Sequence, residues 1–140
     1  MLKSSNQPIG MFVGADTGGF SGPRNIRFAV EMPQSTSETW VLGVDSFNLG
    51  IEGLAWRLGK RIYTKPEERV SLFWGYGLGW REYDDWSGVT DTALVGTLEG
   101  GLAYYLTPNL RMDASLCHDI PISEEYEEGD HAWWGLSFWF

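Results

Sequence analysis

Acidic side chains and arginines are the residues of this chain whose spacing could support chemistry. A run near the C-terminus, Glu124, Glu125, Glu127, Glu128 and Asp130, followed by His131, offers carboxylate oxygens of the kind that hold divalent cations. It lacks the alternating spacing of a calcium loop. A solvated charge run accounts for it, so no metal ligand is assigned. A second set is dispersed but regular. Asp16, Arg27, Glu31, Asp45, Arg57, Arg61, Glu99, Arg111 and Asp113 fall on the small-residue side of alternating stretches. Four positive and five negative charges nearly cancel in that set. Enclosed together, each would need a partner, because an unpaired buried charge is strongly unfavourable. The set therefore reads as a salt-bridged plug, and an ion or proton path is the alternative use of the same groups.

The elements that must position these residues are strands. The clearest is Val70–Trp80, where Val70, Leu72, Trp74, Tyr76, Leu78 and Trp80 alternate with Ser71, Phe73, Gly75, Gly77 and Gly79. The glycines are expected to make room for large neighbours on adjacent strands. The same period of two predicts strands over Ile9–Asp16, Asn25–Met32, from about Thr39, and over Gly53–Tyr63, Ala93–Leu106, Leu110–His118 and Ala132–Phe140. Beyond Ser46 the phase blurs, which predicts a bulge near Phe47. Lys60 interrupts the apolar face near a strand end, where its amine can snorkel to an interface. Short turns are expected at Pro33–Ser37, Thr64–Glu68 and Thr107–Asn109. Longer polar segments, including Arg81–Thr92 and Asp119–Asp130, alternate with them, although Asn48–Glu52 is compact.

Eight strands in 140 residues, with no linker and no long-period repeat, make one all-β domain over 1–140 with residues 1–8 as an N-terminal tail. Eight Trp, six Tyr, seven Phe and 18 Gly suit packed strands better than helices. The net charge of −9 argues against a nucleic-acid partner, which calls for a basic footprint. Cys117 is the one cysteine, so an internal disulfide is excluded. No apolar run reaches the roughly 18–20 residues of a membrane helix, a test that is blind to strands. No apolar signal core precedes the first strand, which is read as a mature chain with its export signal removed.

Which face is polar decides between a soluble barrel and a membrane barrel. One stripe carries Trp40, Trp56, Trp74, Tyr76, Trp80, Tyr104, Trp134, Phe138 and Phe140. These side chains are too bulky to share the narrow interior of an eight-stranded barrel. The opposite stripe, with its Gly, Ala, Ser and near-balanced charges, suits that interior. The reading is an eight-stranded antiparallel up-and-down transmembrane β-barrel, lipid-facing aromatics outside and ions inside, with long loops on one rim and short turns on the other. A lipocalin-like soluble barrel is the alternative.

Two segments carry a family resemblance. The stretch Gly101-Leu102-Ala103-Tyr104-Tyr105-Leu106-Thr107-Pro108-Asn109-Leu110-Arg111-Met112-Asp113 resembles the strand–turn–strand of OmpA-type transmembrane domains. The closing strand, with alternating aromatics up to Phe140, resembles the C-terminal strand of bacterial outer-membrane barrels. The resemblance implies a Gram-negative outer-membrane location, assembly by the insertion machinery acting on that last strand, and contact with membrane lipids and lipopolysaccharide. It implies no cofactor and no single activity. A structural or surface-interaction, adhesin-like role is expected of a monomeric barrel with no free edge. His118 is similar in position to the histidine of barrel lipid A deacylases, which pairs with a serine two residues on. Here Ile120 stands there and the next hydroxyl is Ser123, so an interface histidine is expected and lipid A hydrolysis is the alternative activity.

Overall fold

The computed structural model describes residues 9–16, 26–48, 52–84, 90–122 and 129–140. They form eight strands: β1 (Gly10–Asp16), β2 (Ile26–Pro33), β3 (Glu38–Asn48), β4 (Glu52–Tyr63), β5 (Val70–Asp84), β6 (Thr90–Thr107), β7 (Leu110–Pro121) and β8 (Gly129–Trp139). Each strand pairs antiparallel with its sequence neighbour, and β1 pairs with β8 to close a barrel. The seam runs from Gly10 opposite Trp139 to Asp16 opposite Trp133. Closure gives the edge backbone groups of β1 and β8 partners, which an open sheet would leave bare.

Several strands outrun the hydrophobic alternation. Strand β5 continues past Trp80 to Asp84, and β6 begins at Thr90, so most of the segment expected as a polar loop over Arg81–Thr92 is a paired ladder ending at Asp84 opposite Thr90. Likewise β7 continues past His118 to Pro121, and β8 starts at Gly129. A ladder needs only backbone pairing. Apolar alternation marks just the part of it that has an apolar surround, so Thr, Asp and Glu extend strands without a hydrophobic signal.

The bulge expected near Phe47 is not there, since β3 and β4 pair without a break from Glu38 opposite Ile62 to Asn48 opposite Glu52. The register shifts instead between Tyr105 and Thr107, where β6 turns into β7 through Pro108 and Asn109 alone. Thr107 is thus the last residue of a strand, and Leu106 is the unmatched one.

Inside the barrel, small residues set the wall spacing. A Cβ on Gly79 would lie 2.8 Å from Val95 Cγ2, so that glycine does make room for a neighbouring side chain. Gly77 differs from expectation. Its inner side faces the backbone of Leu58 and Gly59, not a large side chain.

Candidate functional site

The lumen is where the chain concentrates its chemistry. Alternation turns Arg27, Glu31, Asp45, Arg61, Arg111 and Asp113 inward and buries them, with Arg57 and Glu99 only slightly more open. Arg111 is 0% exposed. Register then decides who meets whom. Arg27 sits directly across from Asp45 on the β2–β3 ladder. Its Nε donates to Asp45 Oδ1 at 2.7 Å and its Nη2 to Oδ2 at 3.0 Å, a two-pronged match of guanidinium to carboxylate. Arg57, on β4, donates from Nε to the same Asp45 Oδ2 at 2.7 Å. Its other nitrogens reach Cys117 Sγ at 2.8 Å and Asp119 Oδ1 at 3.4 Å.

A second cluster lies toward the short turns. Glu31 accepts from Arg111 Nη2 at 2.8 Å, Arg61 Nη1 at 3.4 Å, Thr39 Oγ1 at 2.7 Å and the hydroxyl of Tyr63. Arg111 holds Asp113 through Nε at 2.6 Å and Nη2 at 2.7 Å, and Ser137 Oγ donates to Asp113 Oδ2 at 2.8 Å. Glu99 joins the clusters. It takes Arg61 Nε at 2.7 Å and lies 3.9 Å from Arg27 Nη1. The path from Arg61 to Glu99 crosses β5 at Gly75, which stands opposite both residues, and a glycine there leaves the guanidinium room to pass.

Aromatic rings cap the cations from within the wall. Arg27 lies 3.9 Å from the centre of the Trp133 ring and Arg61 4.2 Å from that of Phe73. Arg111 stands within 5.8 Å of the rings of Tyr63, Tyr105 and Trp139. These contacts suit guanidinium better than ammonium, which binds its hydration shell more tightly. The space left among Arg27, Glu31, Arg57, Arg61, Glu99 and Cys117 is about 50 Å³. A water needs about 10–15 Å³ of space measured at its centre, so the cavity holds a few waters.

The opposite face is apolar. Trp40, Trp56, Trp74, Tyr76, Trp80, Trp134, Phe138 and Phe140 all point outward and are exposed, and Tyr104 is half-exposed. Leu116, at 71% exposure, and some twenty further large apolar side chains complete the surface between them. Lys60 keeps its amine 2.8 Å from Glu38 Oε2 and 5.8 Å from the Trp40 ring.

The remaining sequence candidates separate. His118 is half-buried on the outward face of β7, opposite Leu98 on β6 and Asp130 on β8. Ser123, Glu124, Glu125, Glu127 and Glu128 lie outside the described residues, as do the side chains of Asp16 and Asp130. Among the described residues no group of acidic, His or Cys side chains is placed to hold a metal. Sequence reasoning missed Asp119, which is 0% exposed and faces the lumen. The signal was present: Arg111, Asp113, Ser115, Cys117 and Asp119 keep one phase, but the strand was ended at His118. Thr39, Tyr63 and Ser137 were also missed, because a hydroxyl on an inward phase carries no charge to flag it.

No protein-family model and no curated protein matches the sequence. Solved structures do match it in three dimensions. The N-terminal β-barrel domain of Pseudomonas aeruginosa OprF aligns over 94% of this chain and 95% of its own, with TM-score 0.77 and 18% identity. Neisserial surface protein A aligns over 94% and 93%, with TM-score 0.64 and 12% identity. The Yersinia pestis outer-membrane protein Ail, determined in a phospholipid bilayer nanodisc, aligns over 96% and 100%, with TM-score 0.63 and 14% identity. An eight-stranded antiparallel barrel closed between β1 and β8, apolar outside and ionic within, is the transmembrane β-barrel architecture, and in fold this chain resembles the small barrels of bacterial outer membranes.

Proposed function

We propose that this protein is an integral barrel of the bacterial outer membrane with a structural or surface-interaction role, its lumen held shut by the ionic network. The observation that carries the reading is the inversion of polarity. Leu, Val, Phe and Trp cover the outside, while the enclosed space holds, among the described residues, Arg27, Arg57, Arg61 and Arg111 with Glu31, Asp45, Glu99, Asp113 and Asp119. In water the outside would be an apolar surface far beyond the few hundred Å² that soluble monomers expose. In a bilayer it faces acyl chains, and the backbone is satisfied ring-wise. The structures it resembles support the same location.

Membrane lipids and lipopolysaccharide are the partners this reading implies, together with the assembly machinery that would engage β8. The rim bearing the longer connections faces outward, where surface contacts would form. The lumen serves to hold the strands, not to pass solutes, since the space left among its ions accommodates a few waters. The test is reconstitution into planar bilayers. Insertion without unitary current is the expected result, and a steady single-channel conductance would replace the closed barrel with a narrow channel. Mass spectrometry of lipid A after incubation with the folded protein, with a His118→Ala control, tests the hydrolase alternative. Unchanged lipid A is expected.

A further inference from the structure

The outer wall of the barrel is not evenly covered. A groove of about 450 Å³ is lined by residues of β3 to β7. Its walls are Leu58, Tyr76, Leu78 and Leu98, and its floor is backbone at Gly77 and Gly96. Gly96 is the reason it exists. It occupies an outward position, opposite Leu78 on one side and Ile120 on the other, where neighbouring strands carry large side chains. A Cβ added there would meet nothing nearer than 3.9 Å. One end of the groove is at Trp40 and Lys60, next to the short turns 34–37 and 64–69. The other is at Ile120, near the loop end of β7.

The mouth beside the short turns is charged with both signs. Lys60 Nζ and Glu38 Oε2 are 2.8 Å apart, both partly exposed, on adjacent strands. A lone cation there would favour an anionic headgroup. A cation and a carboxylate side by side match a zwitterion, phosphate on the amine and ammonium on the carboxylate. The pair gives up little when it trades partners, because exposed ion pairs are weak. The apolar groove behind it, lined by Leu58, Leu78 and Leu98, lies within the size range of small-ligand sites and offers an acyl chain an apolar bed.

We propose that this groove is a seat for one zwitterionic phospholipid of the leaflet facing the short turns, with its phosphate on Lys60, its ammonium on Glu38 and one acyl chain lying over Gly96. The inference rests on the membrane location proposed above. Tyr76 and Trp40 supply the amphipathic rings that favour this depth.

The test uses the full chain refolded into vesicles of equal phosphatidylethanolamine and phosphatidylglycerol, extracted into mild detergent and weighed by native mass spectrometry. One retained phosphatidylethanolamine per barrel is expected, about threefold over phosphatidylglycerol, the ratio that one exposed ionic contact to Glu38 supplies. Gly96→Phe fills the groove and should abolish retention while heat-modifiable mobility on gels reports a folded barrel. Glu38→Gln should leave the chain seated but reduce the preference to near parity. Equal retention of both lipids by the wild type, or retention unchanged by Gly96→Phe, overturns the seat. A dimer peak lost in Gly96→Phe would assign the groove to a second copy and overturn it as well. Failure of the wild type to insert into vesicles defeats the membrane reading itself, a result distinct from insertion without selective lipid.

Discussion

Replacing Arg111 with methionine isolates the energetic core of the lumen. The guanidinium is wholly buried and binds Glu31 at 2.8 Å and Asp113 at 2.6 and 2.7 Å. Methionine keeps most of the volume and none of the charge. Glu31 would retain Arg61 at 3.4 Å, Thr39 and Tyr63, while Asp113 would retain Ser137 at 2.8 Å and Arg61 at 4.0 Å. Among the described residues, five carboxylates would then face three arginines. Orphaning one partner of a buried pair costs about 3–5 kcal/mol. The surviving hydrogen bonds place Arg111→Met near the lower end, about 3 kcal/mol. Equilibrium urea unfolding in vesicles, followed by tryptophan fluorescence, measures it. Adding Glu31→Gln and Asp113→Asn removes the orphaned charges and should recover at least half of the loss. A single-mutant cost under about 1 kcal/mol, or no recovery on neutralisation, would refute the claim that mutual charge pairing holds the lumen together.

Other perturbations probe other layers of the account. Arg57→Ala leaves Asp119 without the cation 3.4 Å away and removes one of two from Asp45, so it should lower stability by about 3 kcal/mol in the same titration. Gly79→Ala brings a methyl within 2.8 Å of Val95 Cγ2 and should cost about 1–2 kcal/mol, with Val95→Ala in the same chain restoring most of it. Arginine at Leu98, midway along β6, should destabilise the membrane-inserted barrel by about 2–4 kcal/mol, and arginine at Ile62, beside the short turn, by about 1 kcal/mol or less. Cys117 is buried behind the wall, so a maleimide should label it only after denaturation. Rapid labelling of the folded barrel would mean an open lumen.

Most of the fold was legible because a strand that separates two solvents writes its period into the sequence. Val70 to Trp80 shows it cleanly, and β8 shows it to the last residue. What failed was extent. Tyr83, Asp84 and Thr90 to Thr92 continue a ladder outside the apolar belt, where alternation has no cause. The bulge expected at Phe47 came from reading an unclear phase as a change of register, whereas the pairing there is continuous. In the lumen, alternation put arginines and carboxylates on one face but not in pairs. Pairing is a property of register across strands, and it took the ladders to show that Arg61 reaches Glu99 over Gly75 and that Arg111 spans from Asp113 to Glu31.

The central claim is that the outward face of a closed barrel meets lipid. Nitroxide labels at single cysteines along β7, in a Cys117→Ser background and in vesicles, test it most directly. Oxygen accessibility should be high at Met112, Ala114 and Leu116 and low at Asp113, Ser115 and position 117, alternating with period two, while a water-soluble nickel chelate should reach none of the first three. Chelate access at Leu116, or loss of the alternation, would contradict a lipid-facing wall.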